Sequence, residues 1–148
     1  MGLFGKPTET EPLVRRILVG TDRSTTANHA VAWAADMAAR YEAELVVLQV
    51  VAGDGTASVE ELQELARRAA GERGRARVVQ HDDPAKAICQ AAEEEDVDVV
   101  VVGNVGMSGR KEFLLGNVPN RVSHNTRRTV VIVNTAVALE EPKKRFWR

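Results

Sequence analysis

Residues 97–133 read VDVVVVGNVGMSGRKEFLLGNVPNRVSHNTRRTVVIV. An apolar run over 97–103 ends abruptly in a polar loop carrying glycines at 103, 106, 109 and 116; a helical segment over 116–125 and a second apolar run over 129–134 follow. Runs this rich in valine and isoleucine read as strands buried on both faces. The piece between them then reads as a crossover, which makes the stretch one strand–loop–helix–strand unit. A loop with so few side chains leaves backbone amides open to an anion, and phosphate suits such a surface.

The same alternation extends toward the N-terminus. Residues 16–21 (RILVGT) form a first strand, and Ala30, Trp33, Ala34, Met37 and Ala38 then fall on one helical face. Residues 44–51 (ELVVLQVV) form a second strand; after Gly53, Asp54 and Gly55, the residues Val59, Leu62, Leu65, Ala66 and Ala69 mark a second helix. Residues 75–80 give a third strand, with Ala76, Val78 and Gln80 on one side as suits a sheet edge. Ala85, Ile88, Cys89 and Ala92 mark a third helix, started by Asp83 as N-cap and Pro84 at the first helical position. Five strands alternating with four helices predict an α/β three-layer sandwich: a five-stranded parallel sheet in the order 3-2-1-4-5, with right-handed crossovers and helices on both faces.

That order reverses between the first and fourth strands, and ligands of open α/β sheets sit in the crevice beyond the strand ends at such a point. The residues placed there are Gly20, Thr21 and Asp22 after strand one, and Gly103, Asn104 and Gly106 after strand four. Asp22 can accept hydrogen bonds from a ribose hydroxyl or an adenine edge; it equally fits a turn carboxylate ahead of helix one. Ser24, Thr25 and Thr26 fit caps of that helix. Gly103-x-x-Gly106, nine residues, then Gly116 sets a glycine cradle and a helix N-terminus on one pocket. It is neither a Walker A loop nor the G-x-G-x-x-G dinucleotide fingerprint.

This pattern resembles the universal stress protein family, in its ATP-binding subgroup, over residues 15–135. The subgroup carries G-x-x-G, nine residues, then Gly followed by Ser or Thr; here Gly103, Gly106 and Gly116 match and Asn117 stands in place of the hydroxyl residue. The resemblance implies a fold like that of the adenine nucleotide alpha hydrolases. It implies that Asp22, beside Gly20 and Thr21, holds the adenosine end and that Val50 on the second strand contacts the base. The backbone from Gly106 through Met107, Gly109 and Arg110 to Gly116 would wrap ribose and phosphates, and Asn117 and Val118 would turn amides to the distal phosphates. Asn117 offers no hydroxyl to a metal-bridged phosphate, so ADP, AMP or cyclic AMP are alternatives to ATP, with Mg or Mn as the accompanying ion. Arg110 and Lys111 fit either phosphate charge or solvated loop cations. The family also implies a homodimer through the last strand, at Val130, Val131, Ile132 and Val133, which would cover an apolar sheet edge.

Length and composition agree with one domain. At 148 residues, 44% hydrophobic and 28% charged, the chain buries a core without staples. A formal net charge of -1 supplies no field for nucleic acid. One cysteine, Cys89, excludes an internal disulfide and fits a reducing compartment, and zinc spacings are missing. No apolar run reaches the roughly 18 residues of a membrane span, and MGLFGKPTETEP has neither a signal core nor a myristoylation hydroxyl at Lys6, so a cytoplasmic location is expected. Residues 1–14 read as a flexible leader, 15–135 as the domain and 136–148 as a flexible basic-aromatic tail. The four cations of the tail contribute at most about 1 kcal/mol each at an anionic bilayer, too little for stable membrane association.

Other polar residues read as structural. His81, Asp82 and Asp83 fit a helix-capping turn better than a metal site; Cys89 and Trp33 fit the apolar stripes of their helices; residues 93–96 (EEED) fit a solvated face. His29 and His124 lack a paired acid or nucleophile. No catalytic set emerges, so the expected role is a stress-response regulatory module, an adenine-nucleotide-dependent switch for a protein partner. A slow ATPase and a nucleotide-free dimeric scaffold are the alternatives.

Overall fold

A computed structural model describes residues 13–104 and 117–134. The strands are β1 (Arg16–Gly20), β2 (Glu44–Val51), β3 (Gly74–Gln80), β4 (Val99–Gly103) and β5 (Thr129–Val133). Between them lie α1 (Thr25–Tyr41), α2 (Val59–Ala70), α3 (Pro84–Glu94) and α4 (Val118–Asn125). Among the described residues the strands form one five-stranded sheet, every pairing parallel, in the order β3-β2-β1-β4-β5. The expected sandwich is therefore the observed one.

Strand alternation divides the core. Ile17, Val19, Leu45, Val47, Val99 and Val101 point toward α1 and α2, where Ala30, Ala34, Ala38, Leu62 and Ala66 meet them. Leu18, Val46, Leu48, Val100 and Val102 point the other way onto Ala85, Ile88, Ala91, Val118 and Val122 of α3 and α4. Burial on both faces is what the unbroken β-branched runs required. Alanines let the helices approach closely, and α2 comes close upon β3 at Gly74. A Cβ on Gly74 would stand 2.1 Å from the Ala66 carbonyl oxygen, so that position admits no side chain.

Hydroxyl and carboxylate side chains start the helices, each satisfying a first-turn amide that has no partner within the helix. Ser24 accepts from the Ala27 amide at 3.1 Å, Ser58 from Glu61 at 3.1 Å, and Asp83 from Lys86 at 3.3 Å, the last with Pro84 behind it as expected.

Several expectations need correction. Trp33 is 42% exposed. It lies about 115° around α1 from the centre of the stripe formed by Ala27, Ala30, Val31, Ala34 and Ala38, at 100° per residue. Val59 lies on the stripe of α2 but is its first residue, and is 51% exposed. Cys89 is half-buried. Strand four starts at Val99: the Val97 amide closes the turn after α3 on Ala92 O at 3.2 Å, and the Asp98 amide leads into the sheet by donating to Arg16 O on β1 at 2.8 Å. The acidic run is exposed as expected at Glu93, Glu94 and Asp96, but Glu95 is not, and the run is ion-paired: Glu93 and Asp96 hold Arg128 at 2.9 and 3.1 Å, Glu94 pairs with Arg77, and Glu95 takes Arg75 and Arg77. Those arginines hold the Glu95 carboxyl below its ordinary range, Arg75 foremost. Among the described residues no helix is long and apolar enough to cross a membrane.

Candidate functional site

β1 and β4 are neighbours, with Val19 opposite Val101, so their carboxyl ends open at the same edge of the sheet. The turn after β1 is held by its own side chains. Gly20 is buried and Thr21 is 1% exposed. The Thr21 amide donates to Leu48 O on β2 at 2.9 Å, while Thr21 Oγ1 accepts from the Arg23 amide at 2.9 Å. Asp22 Oδ1 accepts from the Ser24 amide at 2.9 Å. The turn-carboxylate reading of Asp22 is thus observed for one oxygen; Oδ2 takes no hydrogen bond from the described residues. These two local bonds bend the chain sharply enough to set Arg23 in the left-handed region, at φ 68°.

On the other side of the crevice Gly103 is buried and pairs with Val133, and the Asn104 amide donates to Val133 O at 2.9 Å. Asn104 Nδ2 also reaches Asn134 Oδ1 at 3.1 Å, so the chain leaves β4 while still tied to β5. Val50 lies half-buried on β2, two residues past the Leu48 that pairs with Gly20. Gly106, Met107, Gly109, Arg110, Lys111 and Gly116 lie outside the described residues.

The chain is described again at Asn117, which is left-handed at φ 67° and caps α4 by accepting from the Asn120 amide at 3.4 Å. Asparagine tolerates that conformation better than a β-branched residue would. Its Oδ1 is thereby committed to the helix, and its side-chain NH2 remains as a donor. Val118, 7% exposed, packs into the cluster under α3 and α4, which fixes the position of the helix start.

A clamp that the sequence did not disclose joins those two helices. Arg121 on α4 donates through both terminal nitrogens to Asp83, at 2.9 and 2.7 Å. The fork of Arg121 lowers the Asp83 carboxyl to about 2, with the Lys86 and Ala85 amides adding to the effect. Cap and clamp are the same carboxylate, so the start of α3 and the body of α4 move together. Nothing in local spacing connects residues 38 apart. The rest of the polar cluster is likewise structural: His81 Nδ1 accepts from the Asp83 amide at 2.9 Å, and Asp82 accepts from the Gly53 amide at 3.0 Å. Cys89 adjoins the clamp, its Sγ 3.9 Å from Val122 O, and burial pushes its thiol up.

A parallel sheet whose strand order reverses between β1 and β4, with a crevice at that point, places this chain among the doubly wound α/β proteins. The sequence model of the universal stress protein family matches residues 14–134, and the chain belongs to that family. Universal stress protein Rv1636 of Mycobacterium tuberculosis (strain H37Rv) is 32% identical over 142 residues, covering 82% of this chain and 97% of its own. A crystal structure of a universal stress protein in complex with cAMP superposes with a TM-score of 0.68 at 32% identity, over 82% of this chain and 98% of that one. The universal stress protein UspA from Lactobacillus plantarum shares the fold, with a TM-score of 0.68 at 17% identity over 82% of this chain and 98% of its own.

Proposed function

We propose that this chain is an adenine-nucleotide-binding regulatory module, with the nucleotide in the crevice between the ends of β1 and β4. The observation that carries the reading is the 32%-identical relative of the same fold, which was crystallised in complex with cAMP. The residues present fit such a ligand. Asp22 keeps Oδ2 for a ribose hydroxyl, Gly103 and Asn104 lead into the glycine motif, and Asn117 and Val118 stand where the motif ends at a helix start. Gly106, Met107, Gly109, Arg110 and Gly116 are assigned to the phosphate side on the motif alone.

Asn117 decides which nucleotide binds. With its oxygen engaged in the cap of α4 and no hydroxyl to offer, it supports cyclic AMP and AMP at least as well as ATP. Magnesium or manganese then matters only for nucleotides with two or more phosphates. The nucleotide would order the glycine loop, and a partner protein would read that order. β5 ends the sheet with Ile132 exposed and Val130, Val131 and Val133 half-buried, an edge that supports a homodimer through this strand. Catalysis has less support: Asp22 is the acid that follows β1 at the crevice, and hydrolysis needs a held water and phosphate as well.

Mass spectrometry of the nucleotide carried by the freshly purified full chain tests this, with Gly106→Asp as the blocked-loop control. An adenine nucleotide present in the parent and missing from the variant is the expected result. A parent that carries none and acquires none after incubation with cyclic AMP, AMP or ATP would leave the nucleotide-free dimeric scaffold.

A further inference from the structure

Away from the crevice, α1 and α2 leave between them a groove of about 450 Å³, within the size range of small-molecule sites. Its lining includes apolar side chains from both helices, Val31 and Ala35 on α1 and Leu65 and Ala69 on α2, with Asn28 beside them. Two guanidinium groups stand in its lining, Arg23 from the turn after β1 and Arg68 from α2.

These two arginines differ from those that bind acids elsewhere. Arg16, Arg40, Arg67, Arg121 and Arg128 each hold a carboxylate at 2.7–2.9 Å, with hydrogen bonds. Arg23 comes no closer than 3.9 Å to Glu61, and Arg68 no closer than 3.8 Å to Glu64. Neither guanidinium has an acceptor at hydrogen-bond distance among the described residues. Glu64 already takes two donors of Arg67, at 2.8 and 3.2 Å, and the Glu61 side chain is 73% exposed to solvent. Two fork-shaped donors with no acceptor at hydrogen-bond distance, beside apolar side chains, suit a ligand with an anionic head and an apolar body, and a planar carboxylate on a short hydrocarbon is a simple form of it.

We propose that the α1–α2 groove is a binding site for small apolar carboxylates, held by Arg23 and Arg68 at the head and by Val31, Ala35, Leu65 and Ala69 along the chain. The site does not depend on the nucleotide reading: apart from Arg23, in the turn after β1, its lining lies on α1 and α2, and Asp22, Gly103 and Asn117 take no part in it. Arg23 sits at φ 68°, a backbone shape that glycine adopts at no cost, so Arg23→Gly removes the guanidinium and keeps the turn. Arg68 is exposed on α2, so Arg68→Ala leaves the core untouched.

The test is an NMR titration of the full chain with octanoate, 1-octanol and octylamine, following the amides of Val31, Ala35 and Ala69. Octanoate should shift them saturably. Arg23→Gly and Arg68→Ala should each weaken binding about tenfold, as loss of a charge-assisted hydrogen bond does. Octanol should bind about tenfold more weakly, and octylamine should not bind. The proposal is overturned if octanoate gives no saturable shift at these amides. It is equally overturned if octanol matches octanoate and both variants leave octanoate binding unchanged. Groove amides that shift with protein concentration alone would assign the face to a second copy of the chain instead.

Discussion

Asp83 shows how much one side chain can hold. It caps α3, accepts both terminal nitrogens of Arg121, and has its carboxyl lowered to about 2 mainly by that arginine. A depressed carboxyl stabilises the folded chain at pH values above the unfolded value near 4, and the contribution disappears as pH falls from about 5 toward 2. The side chain is 33% exposed, so solvent screens the pair. Asp83→Ala should therefore cost about 1.5 kcal/mol in urea unfolding at pH 7, and the gap to the parent should narrow as pH falls from about 4 through 2. A gap that stays constant with pH would show that the clamp carries no charge-dependent stability. Asn117 is the other residue with two tasks. Asn117→Ser restores the hydroxyl of the family motif but gives up a residue suited to φ 67°, so it should lower stability by about 1 kcal/mol and raise ATP affinity relative to cyclic AMP. Calorimetry on both nucleotides checks the second part; an unchanged ratio would mean the hydroxyl is irrelevant to phosphate preference.

Among the elements, the packing of α2 on β3 is sharply constrained. Gly74 lies under the Ala66 carbonyl, and a methyl there would meet backbone rather than a movable side chain. Gly74→Ala should destabilise by about 3 kcal/mol, seen as a lower urea midpoint with an unchanged slope. An effect below about 0.5 kcal/mol would mean that α2 shifts freely on the sheet. The elements were legible in the sequence because their signals are local: β-branched runs for β2 and β4, caps at Ser24 and Asp83, helical stripes for the rest. Where the reading failed, tertiary geometry decided. Trp33 is near the stripe of α1 in sequence but turned out to solvent, and the acidic run at the end of α3 meets arginines brought to it from β3 and from the α4–β5 connection. The same limit hid Arg121, whose carboxylate partner lies on another element, whereas Gly103 and Asp22 were placed by topology, which the alternation of strands and helices had already specified.

At the scale of the whole molecule, the β5 edge of the sheet, with Ile132 exposed, is a surface that a second chain would cover. If β5 pairs with a second β5, the full chain should scatter light as about twice 16.1 kDa at micromolar concentration. Ile132→Lys, on a side chain already 44% exposed, should return it to one chain without loss of folded signal. A mass equal to one chain in the parent would remove the homodimer from this account. The central claim is that an adenine nucleotide occupies the crevice between β1 and β4, and calorimetric titration of the nucleotide-stripped chain with cyclic AMP tests it most directly. Saturable heat with one nucleotide per chain, at micromolar affinity and missing in Gly106→Asp, is the predicted result; no heat with the parent, or equal heat with the blocked-loop variant, would contradict it.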